Sequence, residues 1–247
     1  MKKAVAAALE AVAPAAMIRY RLWKRHAHYE KELWLVPQWA RRDSVAIDVG
    51  GNAGIWALQL ARFAGHVHSF EPNPLCLRQL RRLAAGNVTV HDCALSDRAG
   101  EATLRFDPGN TGIGTIEGAN PLDRVGNPGI RDVVERRVPV RTLDSFAFNR
   151  VAFVKIDVEG HELPVLQGAA DLIRRCRPVL LVEIEERHNP GSFARVVSYL
   201  EAFGYRCHAV DPRTGAVAPF TGRPPAAADH AALVARGAYV NNFIFLS

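Results

Sequence analysis

The sequence predicts an α/β domain built on a mostly parallel β-sheet that is covered by helices on both faces. From Ser44 onward, short apolar runs alternate with amphipathic segments of helical length, which is typical of repeated strand–helix units. Acidic residues and glycines stand where the apolar runs end, as expected at the ligand-binding edge of an open parallel sheet. The last two β-rich segments have no clear helix between them, so we expect the sheet to finish antiparallel.

The individual elements follow from this alternation. Strands are predicted in SVAIDVG (44–50), HVHSFEP (66–72), NVTVHDCALS (87–96), EATLRF (101–106), VAFVKIDVEG (151–160), PVLLVEIE (178–185), YRCHAV (205–210) and VNNFIFL (240–246). Helices are predicted in NAGIWALQLARFAG (52–65), PLCLRQLRRLAAG (74–86), HELPVLQGAADLIRRC (161–176) and GSFARVVSYLEAFG (191–204). Three of these helices run into a glycine, at Gly65, Gly86 and Gly204, which indicates where each one stops.

Two stretches interrupt the rhythm. Residues 107–131 contain six glycines and three prolines, which predicts a long loop that closes over a site, with Asn110 as a lid or acceptor contact or else a turn-forming residue. Residues 212–230 are rich in proline and alanine and are predicted to be a surface connection. Neither has the character of a domain linker, so we expect one domain over residues 43–247, preceded by an arm over residues 1–42.

The arm carries the charge of the whole chain. The net charge is +6, and residues 1–42 hold nine Lys/Arg against three Asp/Glu, which leaves 22 of each in the remainder. A neutral remainder disfavours a nucleic-acid-binding surface. Residues 4–18 are alanine-rich, contain Glu10 and are too short to span a bilayer, which favours a docking helix over a peripheral membrane or partner contact and over a cleaved signal. Four scattered cysteines indicate a reducing, cytoplasmic setting.

The loop after the first strand predicts a nucleoside site. Asp48, Gly50, Asn52 and Gly54 lie between that strand and a helix, but their spacing does not fit the GxGxxG pattern of dinucleotide folds. It fits a loop in which a strand-end carboxylate, Asp48, faces a ligand amine, and glycines let the backbone approach a nucleoside. Glu71 ends the second strand and is placed to accept two ribose hydroxyls. The alternative is a tight turn without a ligand.

Candidate catalytic groups lie where the fourth parallel strand ends. Strand alternation would put Lys155, Asp157 and Glu159 in one polar row, and a buried Lys155 must pair with an acid. His161 follows at the strand–helix turn and has a pKa suited to a general base, or else it is a structural residue at the helix start. Asp157 with the strand-end acids Glu183 and Glu185 offers oxygen ligands, but carboxylates without a further ligand motif are weak grounds for a metal site, so none is predicted.

These segments resemble the FkbM-type S-adenosylmethionine-dependent methyltransferases. The similarity covers AIDVGGNAGIW, SFEPNP, NVTVHDCALSD, VPVRTLDSF, FVKIDVEGHELPVLQGA and RPVLLVEI in that order, roughly over residues 44–186. It implies a class I methyltransferase fold with a seven-stranded sheet, whose last strand is antiparallel, and S-adenosylmethionine bound over the carboxyl ends of the first four strands. It also implies that the first motif holds the methionine part of the cofactor: Asp48, Gly50, Asn52 and Gly54.

The resemblance further implies roles for other residues. Glu71 would bind the ribose, and Asp92, Cys93 and Ala94 would lie near the adenine, with Asp92 alternatively a solvated loop acid. Asp157 would contact the sulfonium end, the acceptor or a metal. The implied reaction is methylation of a hydroxyl on a saccharide or small molecule. Nucleic-acid methylation is disfavoured because the sequence has DVEG and no NPPY-like motif after the strand, and an inactive binding module is disfavoured by the intact motifs.

Overall fold

The structure, a computed structural model, describes residues 31–122, 130–211, 214–226, 229–236 and 238–247. The strands in these ranges are β1 (Val45–Val49), β2 (His66–Phe70), β3 (Val88–His91), β4 (Ala94–Leu95), β5 (Gly100–Asp107), β6 (Asn110–Thr115), β7 (Val134–Arg141), β8 (Val151–Ile156), β9 (Val179–Glu183), β10 (Arg206–Val210), β11 (Val217–Pro219) and β12 (Asn242–Leu246). The α-helices are α1 (Val36–Trp39), α2 (Ile55–Leu60), α3 (Pro74–Leu83), α4 (Glu162–Gln167), α5 (Ala170–Cys176), α6 (Ser192–Glu201) and α7 (His230–Ala235), and the 3₁₀ turns are Lys31–Trp34 and Leu143–Phe146.

The main sheet has the strand order β11–β10–β12–β9–β8–β1–β2–β3. The five strands from β9 to β3 pair in parallel, and β12 is antiparallel to both β9 and β10. The α/β class, the mostly parallel sheet and the antiparallel final strand are therefore confirmed. The expected count of seven strands is wrong for the described residues, which form eight. The extra strand, β11, lies in the predicted surface connection and pairs with the edge of β10, with Val217 opposite Val210.

A second, four-stranded sheet has the order β4–β7–β5–β6. The long loop predicted for residues 107–131 is partly wrong, because Asn110–Thr115 folds back on β5 as β6. Asp107 organises this reversal: its two carboxylate oxygens accept from the backbone N–H of Gly109 at 2.7 Å and of Arg131 at 2.6 Å. Residues 123–129 of the predicted loop lie outside the described residues. This second sheet is inserted between β3 and β8 of the main sheet.

The helices are shorter than the sequence pattern suggested. The segment 161–176 forms two helices rather than one, and the break between them lies around Gly168. At Gly168 the backbone passes so close to the carbonyl oxygen of Ser96 that a Cβ atom would overlap it. Helix α2 ends at Leu60, before the predicted stop at Gly65. The backbone N–H of Gly65 donates to the carbonyl oxygen of Ser44 at 2.9 Å. Helix α3 begins as its sequence predicts: the Asn73 side chain caps it, accepting from the Leu75 N–H at 3.0 Å.

Both faces of the main sheet are buried, which explains the nearly continuous apolar runs of its strands. Adjacent β8 residues show this, since Phe153 and Val154 belong to hydrophobic clusters on opposite faces. The described end of the basic arm joins the same core: Leu33 is 1% exposed and Trp39 stacks on Phe153 at 5.6 Å between ring centroids. Residues 1–30 lie outside the described residues, so the helical arm and the domain boundary after residue 42 stay predictions.

Candidate active site

A pocket of about 640 Å³, open to solvent on one side, lies where β1, β2 and β8 end. Main-sheet strand ends supply its polar groups, and the second sheet closes another side with Leu104, Gly112, Gly114 and Ile116. The position is the carboxyl edge of a parallel sheet, where open α/β folds bind their ligands.

The glycine-rich loop after β1 is shaped by its contact with β8. Gly50 has φ +82°, and a Cβ atom there would overlap the carbonyl oxygen of Asp157, so only glycine lets the two strand ends approach this closely. Asn52 also takes a left-handed conformation, with φ +42°. Gly50 and Asn52 line the pocket, as a ligand-binding loop requires. Gly54 packs against Leu80 instead and is not among the lining residues.

Asp48 occupies a different place from the one expected. Its side chain is fully buried, its Oδ2 accepts from the Ser69 hydroxyl at 2.8 Å, and it is not among the residues that line the pocket. Burial raises the pKa of Asp48, while the positive charge of Lys155 acts in the opposite direction. Direct contact between Asp48 and a ligand amine stays a prediction, and the observed geometry gives Asp48 a role in supporting the loop.

Glu71 faces the pocket with its carboxylate held in place. Oε2 accepts from the backbone N–H of Asn52 at 2.7 Å, and Oε1 accepts from that of Asn73 at 2.7 Å. Each carboxylate oxygen has a second lone pair, so two ligand hydroxyls can still donate to it. Burial raises the pKa of Glu71 to about 7 in spite of these two hydrogen bonds. The arrangement suits a ribose diol.

An apolar slot adjoins Glu71. Cys93, Ala94 and Leu95 line it on the side of β3 and β4, as the predicted adenine site requires for Cys93 and Ala94. Asp92 lies elsewhere: it is exposed, and its Oδ2 lies 3.2 Å from Nη2 of Arg81. An adenine contact by Asp92 stays a prediction that this position does not favour.

Lys155 and Asp157 form an ion pair at the end of β8. Nζ of Lys155 lies 2.8 Å from Oδ2 of Asp157, and the lysine side chain is only 3% exposed. The predicted neutralisation of Lys155 by a neighbouring acid is confirmed. The predicted polar row is wrong beyond this pair, because β8 ends at Ile156 and the chain then turns sharply. Asp157 and Glu159 both still line the pocket, since the turn brings them back to the same edge.

The turn at Glu159 is held in a strained conformation. Glu159 has φ +54°, a left-handed value that a non-glycine residue rarely takes. Its carbonyl oxygen accepts from the Thr115 hydroxyl at 3.0 Å and from the Asn120 amide at 2.8 Å, and both of these side chains are buried. Asn189 donates to the next carbonyl, that of Gly160, at 3.0 Å. Such overdetermined strain is typical of functional sites, where it fixes a side chain in place.

The Glu159 side chain lies against a buried histidine. Oε2 of Glu159 is 3.1 Å from Nδ1 of His188, whose Nε2 is 3.7 Å from Glu185, and Glu185 in turn pairs with Arg187. Burial, and then the charges of Asp157 and Glu185, raise the pKa of Glu159 well above its usual value. Burial also lowers the pKa of His188 to about 4. His188 is therefore neutral at physiological pH, and Glu159 holds a proton more tightly than an ordinary glutamate.

His161 also pairs with a carboxylate, through contacts that the sequence did not indicate. Its Nδ1 lies 2.9 Å from Oε2 of Glu117, and its Nε2 lies 2.9 Å from the Ser96 hydroxyl. The imidazole lines the pocket, but both ring nitrogens are within hydrogen-bonding distance of protein groups. A base role for His161 stays a prediction, and Glu159, which lines the same pocket, is a second candidate.

Sequence reasoning missed Ser96, Thr115, Glu117, Asn120 and His188. Thr115, Glu117 and Asn120 lie in the stretch 107–131, which the sequence pattern assigned to a loop, and Ser96 follows β4. His161 and Glu117 are 44 residues apart, so no local spacing connects them. The one available signal for His188 was the acidic strand end before it, EIEERH, which placed a histidine beside the predicted acids.

The structure also bears on the metal and membrane alternatives. Over the described ranges, no three His, Cys, Asp or Glu side chains are grouped so as to hold a metal ion. The Asn241 amide instead reaches Oε1 of Glu183 at 2.7 Å and Oε1 of Glu185 at 3.1 Å. None of the helices formed by the described residues is long and apolar enough to cross a membrane.

Similarity to known proteins agrees with this geometry. Residues 48–207 match the model of the methyltransferase FkbM domain. Methyltransferase 1 of Beauveria bassiana is 28% identical over 182 residues, which are 66% of this chain and 72% of that protein. The hexuronic acid methyltransferase AglP of Haloferax volcanii is 28% identical over 162 residues, or 64% of this chain and 63% of AglP. The chain thus spans somewhat less than two thirds of AglP.

A solved structure shares the fold. The FkbM methyltransferase of Methylobacillus flagellatus superposes with a TM-score of 0.52 at 16% identity, covering 94% of this chain and 54% of that one. This likeness supports the Rossmann-like class I architecture. The methyl donor implied by the family is S-adenosylmethionine, in keeping with a pocket that offers a ribose-binding carboxylate beside an apolar slot. With the family model matched over most of the α/β domain, the chain belongs to the FkbM methyltransferase domain family.

Proposed function

We propose that this protein methylates a hydroxyl group on a saccharide or another small molecule. The single observation that carries the proposal is the position of Glu159, a largely buried carboxyl group that lines the cofactor pocket, is 15% exposed and has a raised pKa. An alcohol is a poor nucleophile until its proton is removed, so such a reaction needs a base beside the methyl donor. The name of AglP, which refers to a hexuronic acid, supports a sugar-like acceptor.

The pocket residues fit S-adenosylmethionine. Glu71 has two oxygens directed by backbone N–H groups toward a diol, and Cys93, Ala94, Leu95 and Ile116 form an apolar slot that suits a purine. Asp157 places a carboxylate in the same pocket, where it would favour a positively charged centre. S-adenosylmethionine supplies, when bound, a methyl group activated by attachment to a sulfonium.

Glu159 is the group that we assign to proton removal. Its carboxylate would accept the proton of the acceptor hydroxyl, and Nδ1 of the neutral His188 ring lies 3.1 Å from Oε2, the buried oxygen of the same carboxylate. A carboxyl group with a raised pKa is a better base near neutral pH than an ordinary glutamate. Thr115 and Asn120 hold Glu159 in position through its carbonyl oxygen. The remaining task of the site is to align the reactants and exclude water.

The second sheet contributes to water exclusion. Leu104 and Ile116 present apolar side chains to the pocket, while Gly112 and Gly114 leave room for a ligand close to the backbone. This wall is the part of the site that the predicted lid loop was expected to provide. We propose that an acceptor enters on the open side and lies between this wall and the end of β8.

An acceptor panel tests the proposal. The protein would be incubated with methyl-labelled S-adenosylmethionine and, separately, with neutral hexoses, hexuronic acids, their glycosides, simple phenols and a total RNA fraction. We expect label in a saccharide or small alcohol, and the product should resist mild alkali because an ether, unlike a methyl ester, is stable to it. Label only in RNA, or only in an alkali-labile ester, would contradict hydroxyl methylation.

A further inference from the structure

A groove lies at the amino edge of the main sheet, away from the active site. It is formed by the residue pair before β1, the end of α2 and the end of α3, and its lining residues are Arg42, Leu58, Ala61, Arg62, Phe63 and Ala85. The helices of repeated strand–helix units run back along the sheet, so the segments that follow them lie where the strands begin. The active-site pocket lies where the strands end, and the two spaces share no lining residue.

The amino-edge groove combines an apolar floor with a positively charged rim. Leu58 and Ala61 are buried in its floor, whereas Phe63 and Ala85 are partly exposed. Arg42 completes the rim together with an arginine of the α2 end, and none of the lining residues is acidic. Such a surface matches a ligand that carries an anionic group on an apolar body.

The two arginines of the rim are not neutralised by acids. In the part of the chain that the structure describes, neither Arg42 nor Arg62 forms an ion pair with a carboxylate, and both are exposed. Nη1 of Arg62 donates to the neutral side chain of Gln59 at 3.0 Å, and its guanidinium lies 5.3 Å from the centre of the Phe63 ring. Guanidinium groups are well suited to phosphate, because their fork of N–H donors matches its oxygens.

The charge of the neighbouring arm narrows the choice of occupant. Arg42 is the last residue of the basic arm, and residues 1–42 hold nine Lys/Arg against three Asp/Glu. The arm of this chain, or of a second copy, has the same sign as the rim and is repelled by it. The remainder of a second copy is neutral overall and offers no compensating charge. An extended anionic surface, by contrast, attracts the groove and the arm together.

The arm also presents an aromatic residue that suits a lipid–water interface. Trp34, in the described end of the arm, is 39% exposed, although its neighbour Leu33 is buried in the core. Tryptophan is enriched where hydrocarbon meets water, because one part of its ring system is apolar and another donates a hydrogen bond. Apolar floor, unpaired arginines and an exposed indole are the three components of a surface that binds anionic lipid.

We propose that the amino-edge groove docks the protein on a membrane that contains anionic phospholipid. Arg42 and Arg62 take the phosphate of a headgroup, and the apolar part of that lipid lies against Phe63 and Ala85. The basic arm adds attraction to the surrounding headgroups. The active-site pocket stays open to its acceptor, since it lies at the other edge of the sheet. The proposal does not depend on the proposed function, because the groove contributes nothing to the active site.

Vesicle co-sedimentation tests the proposal on the full chain. Binding is measured to vesicles of phosphatidylcholine alone and to mixed vesicles of phosphatidylcholine and phosphatidylglycerol. The variant Arg42→Gln/Arg62→Gln removes the rim. Its matched control, Arg98→Gln/Arg136→Gln, removes the same charge at two exposed arginines beside and within the second sheet. All four positions are exposed, and thermal melting verifies that each protein is folded.

We expect the wild-type chain to bind the mixed vesicles, to bind phosphatidylcholine poorly and to be released by salt. The rim variant should bind about 10- to 30-fold more weakly, since each basic residue at an anionic bilayer contributes about fivefold. The control variant should lose less than about threefold, because charges away from the bilayer are screened.

Three results would overturn the proposal. The first is equal binding of the wild-type chain to both kinds of vesicle, or binding to neither. The second is a loss in the rim variant no larger than in its control, which would reduce the effect to net charge. The third is binding of a total RNA fraction that depends on Arg42 and Arg62 while anionic vesicles are not bound, which would assign the groove to nucleic acid.

Discussion

Two histidine–carboxylate pairs lie at the same edge of this protein, and they are built differently. In the pair of His161 and Glu117, the two atoms are 2.9 Å apart, and Glu117 also accepts from the backbone N–H of Ala119 at 3.0 Å. Burial opposes ionisation of Glu117, but these hydrogen bonds outweigh it and lower its pKa. In the pair of His188 and Glu159, burial dominates and raises the pKa of the acid.

The difference shows that distance alone does not identify a proton acceptor. A carboxylate with several donors is stabilised in its charged form and binds a proton weakly, whereas one that is dehydrated with few donors binds a proton more tightly. By this reasoning the first pair orders the loops around the pocket, because His161 joins Glu117, which follows β6, to Ser96, which follows β4. We propose that the second pair is the one that exchanges a proton during turnover.

Glu159→Gln gives the most direct way to break this assignment. We expect kcat on the best acceptor from the panel to fall by about 10²- to 10⁴-fold, because the amide cannot take a proton. The affinity for S-adenosylhomocysteine should change much less. The matched variant is Glu117→Gln, measured on the same acceptor. A larger loss in Glu117→Gln than in Glu159→Gln would exchange the roles of the two pairs.

Glu71 shares one feature with Glu159 and one with Glu117. Like Glu159 it is removed from water, and like Glu117 it accepts from backbone N–H groups, here two of them. Glu71→Ala should weaken S-adenosylhomocysteine binding by about 10- to 100-fold, because hydrogen bonds to a charged group are lost, with a smaller loss of folding stability. Because burial raises its pKa to about 7, the wild-type affinity should increase from pH 6 to pH 8 as the carboxylate forms.

Calorimetry at both pH values and thermal melting check the Glu71 prediction. Asp92→Asn serves as the control, since Asp92 is an exposed acid paired with Arg81. An equal loss of affinity and stability in Glu71→Ala would make Glu71 a structural residue. A pH dependence of affinity that persists in Glu71→Gln would assign the titration to another group.

The buried state of His188 predicts acid sensitivity. Its pKa is about 4 in the folded chain against 6.5 as its ordinary value, so the unfolded state binds more protons between these values. Stability should therefore fall as the pH drops from 6.5 to 4, by up to roughly 3 kcal/mol from this group, which corresponds to about 6–12 °C in Tm.

The variant His188→Gln removes this titration, so its Tm should depend less on pH across the same interval. Melting curves at pH 7, 6, 5 and 4 compare the two proteins, and His208→Gln, at a partly exposed histidine, is the control. If the wild-type chain and His188→Gln lose stability in parallel, His188 is not a buried neutral group. The description of the His188–Glu159 pair as dehydrated would then be wrong.

The smallest expected effect belongs to His161. In His161→Ala, the pH at which kcat/KM changes should stay where it is in the wild-type chain, and the rate should fall by less than about tenfold from loss of loop order. The measurement is a pH–rate profile on the same acceptor. A displaced or absent inflection in His161→Ala would return the base role to this histidine, as the sequence first suggested.

The sequence made the main sheet predictable because each strand carries its own local signal. Apolar runs of strand length between helical segments identified β1, β2, β8 and β9, and the acids at their ends identified Glu71 and Asp157 as pocket residues. Lys155 is the only lysine after Lys31. It was expected to pair with an acid, because burial of an unpaired ammonium is too unfavourable, and it does so with Asp157. In the second sheet β5 carried such a signal, but β6 lies in a stretch whose glycines and prolines are typical of a loop.

By itself, then, the sequence determined the α/β class, the edge at which a ligand binds and the family of the protein. These features depend on local periodicity and on residues that parallel strands must bring to one edge. Only the tertiary structure decided which carboxyl groups are dehydrated and which receive donors. That choice rests on contacts across the chain, such as Thr115 and Asn120 on the Glu159 carbonyl, 44 and 39 residues away. Because a pKa depends on everything around the group, spacing along the chain could not distinguish Glu159 from Glu117.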